Sequence, residues 1–422
     1  MSDRKINNSK TKVFTLIIVT IITILILIGI SVFWLKQNDY VKENLENENK
    51  ISEENVIEEQ FDRIKEYGIF GEYYEKAEQK LETLTIEEKI AQLFVIGNSA
   101  NTDYTELQKY QFGGYLFFKE FFNEKTEKQV KNKIEQYQKA SKIPLLMAVD
   151  EEGGIVVRIS NNKNLSATPF KASSQIYNNG GFEAIKQDTI NKSNFLNNLG
   201  INLNFAPVVD IANNPKDYMY SRSLQQDKDK TAIFAKTVIE ASKGLGVSYT
   251  LKHFPGYGNN ADTHIGSSID KRTYEDIYNN DLEPFRAGIE AGAECVMVSH
   301  NIVTSIDDKN QASISSKVHT LLRDELNFKG IIITDALNMG AIRDENTIED
   351  AIAKAITAGN DMIILSIDKN TTDKDGSKIT YQRVINAVKN ALNNKEIKQE
   401  IIDEAVTRIL AWKYYKEMML EI

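Results

Sequence analysis

The segment Lys252-His253-Phe254-Pro255-Gly256-Tyr257-Gly258-Asn259-Asn260-Ala261-Asp262-Thr263-His264 sets an imidazole two residues after a carboxylate. Pro255, Gly256 and Gly258 break any strand before it and shape a loop. If that loop brings Asp262 against His264, the carboxylate holds one tautomer of the ring and stabilises the imidazolium. His264 can then pass a proton near neutral pH. Asp-x-His alone is weak, and a solvated loop pair is its ordinary reading; a place directly after a strand end gives it weight. A second carboxylate, Asp335, follows Ile331-Ile332-Ile333-Thr334. An aspartate on rigid sheet suits a nucleophile that must be held in position, and capping the following helix is its other reading. In Asp150-Glu151-Glu152-Gly153-Gly154-Ile155-Val156-Val157-Arg158 the paired glycines permit a tight turn and close approach of the backbone to a ligand. Asp150 can accept two hydroxyl donors there, and Arg158 can brace the carboxylates. Arg222, in Ser221-Arg222-Ser223-Leu224, can reach the same place. For both arginines a purely structural ion pair is an equal alternative.

Such groups need a frame. Apolar runs of strand length recur at 92–96, 114–118, 145–149, 203–209, 248–251, 295–299, 331–334 and 362–365. Amphipathic stretches at 127–141, 182–200, 229–244, 281–292 and 348–359 separate them, several ending at a glycine, and stretches at 381–393 and 401–415 follow. Thr85 with Glu88 three residues on marks a helix start at the front of this region. Short apolar strands alternating with helices predict a parallel sheet covered on both faces, and eight such units favour a closed (β/α)₈ barrel. Barrel sites form at strand C-termini, where this chain carries Asp150, Asp210, Lys252-His253, His300 and Asp335. That rim predicts a site for a polar ligand.

A net charge of −9 argues against a nucleic-acid partner, because phosphate binding needs a basic face. The single cysteine, Cys295, excludes a disulfide framework or a cysteine-rich metal site. Histidines without ligand spacing predict no metal, and no Gly-x-Gly-x-x-Gly loop follows a strand, so no cofactor is expected. Residues 13–35 form an uncharged run long enough to span a bilayer, preceded by Arg4, Lys5, Lys10 and Lys12. The expected organisation is a cytoplasmic tail 1–12, a transmembrane helix 13–35, a stalk 36–66 and one barrel domain 67–422 outside the cell, single-pass in the cell membrane.

The four segments around Asp150, Arg222, Lys252 and Asp335, in that order, resemble glycoside hydrolase family 3, and most of all its β-N-acetylglucosaminidase branch. The resemblance covers roughly residues 80–415. It implies a TIM-type barrel and a retaining, two-step mechanism, with Asp335 as nucleophile and His264, paired with Asp262, as general acid and then base. It further implies that Asp150, Arg222, Lys252 and His253 bind the sugar, with Arg158 in support. The expected substrate is a glycan ending in β-linked N-acetylglucosamine, with a peptidoglycan fragment as its expected source given an outward-facing anchor. Tyr257, where many relatives carry histidine, and Ser267-Ser268-Ile269-Asp270, in place of a usual Leu-Pro before the aspartate, depart from the pattern on the leaving-group side. A β-glucosidase or β-xylosidase, a phosphorylase of the same family and an inert glycan-binding protein are the alternatives.

Overall fold

Runs such as Leu146-Met147-Ala148-Val149 and Ile331-Ile332-Ile333 are apolar at every residue, so strands made from them must be covered on both faces. In the structure every one of these side chains is buried. The computed structural model describes residues 65–98, 104–260, 262–263, 266–368 and 370–419. Among them the strands are β1 (Phe94–Asn98), β2 (Gly114–Phe117), β3 (Leu146–Val149), β4 (Leu203–Asn204), β5 (Ser248–Phe254), β6 (Ile269–Asp270), β7 (Cys295–Val298), β8 (Ile302–Val303), β9 (Ile331–Ala336) and β10 (Met362–Ser366). All except β6 and β8 pair in parallel in chain order, and β1 closes the ring on β10 with Phe94 beside Ile363. The pair β6–β8 forms a separate two-stranded piece beyond the rim.

Helices wrap the barrel, and local chemistry starts and stops them. Thr85 and Glu88 form the capping box expected from the sequence, and Thr126 with Gln129 forms another ahead of the helix Glu127–Ala140. That helix turns Val130, Ile134 and Tyr137 onto the sheet. The helix Ile348–Ala358 stops at Gly359, whose φ of 113° is left-handed. β4 is shorter than the apolar run that encodes it, because Pro207 has no N–H to continue a ladder. Val209 instead donates to the Lys252 carbonyl at 2.8 Å, so the chain beyond β4 stays stitched to β5.

One expectation is corrected. The barrel was expected to follow a membrane-spanning helix and stalk. Residues 13–35 lie outside the described residues, and no helix among the described ones is long and apolar enough to cross a membrane. The apolar strands of the described chain run for two to seven residues, far short of the roughly 20 a helical span requires. The long helix Ser173–Asn198 breaks its helical geometry at Gly180 and Gly181. The membrane topology expected with such a span has no support in the described residues.

The helix Gln399–Tyr415 packs at the end of the barrel remote from the rim, with Trp412 fully buried and donating to Glu294 at 2.6 Å. Its neighbour Lys413 is also buried, and its amine donates to Gln92 Oε1 at 2.8 Å and to the Gly113 carbonyl at 3.0 Å. Neither acceptor is charged. Burial alone pushes the Lys413 ammonium down to about 7. Between about pH 7 and the ordinary lysine value the unfolded chain holds a proton that the folded chain lacks, so folding is favoured as pH rises. Compared with Lys413→Met, the wild type is therefore predicted to gain stability from pH 7 toward pH 10, by at most roughly 1.4 kcal/mol per pH unit. Denaturant titrations of both proteins at several pH values check this, and parallel stability curves would contradict it.

Candidate active site

Three consecutive acids, Asp150, Glu151 and Glu152, follow β3, and they divide their work. In extended chain, residues i and i+2 face the same way. Glu151 turns back into the protein and accepts the backbone N–H groups of Arg158, Ile159 and Ser160 at 2.7, 2.8 and 3.1 Å. This fixes the loop that the paired glycines turn. At Gly153, with φ of 102°, a Cβ would stand 2.2 Å from the Lys171 carbonyl oxygen, so only glycine fits. Asp150 and Glu152 turn the other way, toward β5.

There they meet Lys252. Its ammonium lies 2.9 Å from Asp150 and 2.7 Å from Glu152. Arg222 grips Glu152 with two nitrogens, Nε at 2.9 Å and Nη2 at 2.6 Å. Arg158 approaches the other Asp150 oxygen at 3.8 Å. Burial by itself would raise the Glu152 carboxyl, but the charges of Arg222 and Lys252 outweigh it and hold that carboxyl well below the carboxylate range. Burial pulls the Lys252 ammonium down, whereas Asp150 and Glu152 more than restore it, leaving it above the usual lysine value. Glu152 and Lys252 thus remain charged although their side chains are almost wholly buried. Arg158 Nε is buried with no hydrogen-bond partner among the described residues, a donor available to a ligand.

The pairing of β5 with β7 slips between Lys252 and Phe254, a bulge that re-aims side chains at the rim. His253 Nδ1 lies 2.7 Å from Asp210, which also accepts the backbone N–H of His253 at 3.2 Å and of Tyr257 at 2.8 Å. As a carboxylate can only accept, Nδ1 carries the proton. Beyond it the loop is clamped. A Cβ on Gly256 would stand 2.5 Å from Asp281, and one on Gly258 2.5 Å from the Arg272 guanidinium. Arg272 in turn binds Asp281 and Asp270, each at 2.7 Å. Tyr257 ties across the loop to Thr263 through its hydroxyl, and Thr263 passes the tie to the backbone N–H of Ala341 at 3.1 Å.

Asp335 stands near the end of β9, where one of its oxygens accepts the backbone N–H of Ala336 at 2.8 Å. His300 supports that strand end. Its Nε2 lies 3.0 Å from the Ala336 carbonyl and its Nδ1 2.7 Å from the Ser313 hydroxyl, so Nε2–H donates and Nδ1 accepts. The rim histidine read as part of a binding ring is therefore a brace.

Asp150, Arg158, Arg222, Lys252, His253 and Asp335 all line one cavity of about 770 Å³. Glu152 and Tyr218 line it too, although neither was singled out from the sequence. Glu152 was legible in principle, from its i, i+2 relation to Asp150; Tyr218 carried no signal. Asp262 is partly buried and receives a hydrogen bond from the Tyr218 phenol. His264 lies outside the described residues. Among the described residues, no group of three or more His, Cys, Asp or Glu is arranged to hold a metal ion.

The chain matches the glycosyl hydrolase family 3 N terminal domain over residues 85–412. The β-hexosaminidase of Nitrosomonas eutropha is 30% identical over 278 residues, 65% of this chain and 79% of that protein. The β-hexosaminidase of Xylella fastidiosa (strain M23) is 28% identical over 263 residues, 61% of this chain and 77% of the relative. A family 3 β-N-acetylglucosaminidase from Paenibacillus sp. str. FPU-7 superposes with a TM-score of 0.72 at 28% identity; the match covers 81% of this chain and 64% of that one. The matched domain takes in every barrel strand and every residue lining the cavity, and the chain belongs to glycosyl hydrolase family 3.

Proposed function

We propose that the chain is a retaining exo-glycosidase that releases terminal, non-reducing β-linked N-acetylglucosamine, with Asp335 as nucleophile and Asp262 with His264 as the acid/base pair. What supports this reading most is that the Asp335 carboxylate opens into the same cavity as the charged chain of Asp150, Lys252, Glu152 and Arg222. A sugar ring offers hydroxyls that both donate and accept. Asp150 supplies acceptor oxygens, while Lys252, Arg222 and Arg158 supply donors. Relatives named β-hexosaminidase support the choice of sugar.

In the first step an Asp335 oxygen attacks the anomeric carbon as the bond to the leaving oxygen breaks, and the imidazolium of His264 protonates that oxygen. In the second, the neutral imidazole takes a proton from water, which attacks the anomeric carbon and frees Asp335. Configuration is retained after two inversions. A histidine acid avoids setting a second carboxylate beside the nucleophile. Asp262 fixes its tautomer and offsets the charge it carries before the first step and after the second.

Two outcomes are expected. Asp335→Asn retains the fold but loses kcat on the order of 10³-fold or more, with KM little changed, because an amide cannot form the ester intermediate. Stopped assays with matched thermal melts check this, and near-normal turnover would remove Asp335 from the mechanism. Supplied side by side with the aryl β-N-acetylglucosaminide and the aryl β-glucoside, the enzyme is expected to turn over the former with the higher kcat/KM. A faster glucoside would overturn the sugar assignment.

A further inference from the structure

Tyr218 belongs to the loop after β4 and forms part of the cavity wall. Its ring packs on Tyr257, with centroids 5.7 Å apart, in a small apolar cluster completed by Val208, Ala212 and Met219. Tyr257 holds Thr263 through its hydroxyl, and Thr263 is the chain neighbour of Asp262. One aromatic pair therefore holds Asp262 from two sides: Tyr257 fixes the backbone next to it, and the Tyr218 phenol hydrogen-bonds its side chain. Among the described residues, Arg222 and Asp335 are the other charged groups that act on the phenol.

We propose that Tyr218 is a positioning residue for acid/base catalysis, donating its phenol to the Asp262 carboxylate and restricting the orientations of that side chain. This rests on the reading of Asp262 given above. The donor role is secure across the working range of pH. Burial pushes the phenol up, Arg222 opposes it, and the charges of Asp262 and Asp335 add to it, leaving it at about 12. A phenol that donates to Asp262 also shares its negative charge, which weakens the hold of that carboxylate on an imidazolium. Removing the hydroxyl should cost orientation and raise the pH at which the acid is lost.

The test compares wild type, Tyr218→Phe, Asp262→Asn and the double variant on two substrates. N,N′-diacetylchitobiose needs its leaving oxygen protonated, whereas a 2,4-dinitrophenyl β-N-acetylglucosaminide does not. Phe keeps the ring on Tyr257, and thermal melts confirm that the variants fold. Tyr218→Phe is expected to lose about tenfold in kcat/KM on chitobiose and almost nothing on the dinitrophenyl substrate. The alkaline limb of its profile should move upward, and it should cause no further loss in the Asp262→Asn background. An equal loss on both substrates, or an additional loss on top of Asp262→Asn, would overturn the proposal. If Asp262→Asn itself cleaves chitobiose normally, the acid/base reading fails and the proposal falls with it. An impaired Asp262→Asn beside an unimpaired Tyr218→Phe defeats the Tyr218 role alone.

Discussion

The site depends on four charges that cannot be separated. Asp150, Lys252, Glu152 and Arg222 form a largely buried, alternating chain that joins the end of β3, the bulge of β5 and the loop after β4. Taking any one of these ions out of water alone would cost several kcal/mol, on the order expected for a buried unpaired charge. Together they compensate one another, and the geometry is close, bidentate at Arg222 and shared at Lys252. The arrangement is less a contribution to stability than a constraint on register. It is satisfied only if the ends of β3 and β5 and the loop after β4 arrive at the same depth, and it leaves a fixed electrostatic field on one side of the cavity.

The remaining rim elements answer to that field. Asp210 collects three N–H groups from His253 and Tyr257, which sets where the long loop after β5 leaves the barrel. The Arg272 clamp beneath Gly256 and Gly258 sets where it returns. His300 locks the far end of β9 by its carbonyl, so that Asp335 faces the cavity from rigid sheet and not from a loop. A nucleophile held in this way loses little entropy on the path to the transition state.

The barrel was legible because both faces of its strands are buried, so all eight write themselves as short apolar runs between helices. Asp150, Lys252 and Asp335 were legible for the same reason: each is the first polar residue after such a run. What failed to show followed from contacts made through space. Glu152 sits among three acids whose division of labour depends on which way each turns. Tyr218 lies in a loop without pattern and gains its meaning only from Tyr257 and Asp262. His300 looked like a ligand residue because sequence position gives depth but not direction. The apolar run 13–35, read as a membrane span, is not represented by any helix among the described residues.

The central claim is that a glycosyl group passes through an ester on Asp335. A 5-fluoro N-acetylglucosaminyl fluoride probes it directly, since fluorine beside the ring oxygen slows both steps while the fluoride leaving group spares the first. Incubation, acid quench, intact mass and peptide mapping would locate any adduct. The account predicts one fluoro-N-acetylglucosaminyl group per chain, on the peptide bearing Asp335. A label on another carboxylate, or steady turnover with no trapped adduct, would contradict it.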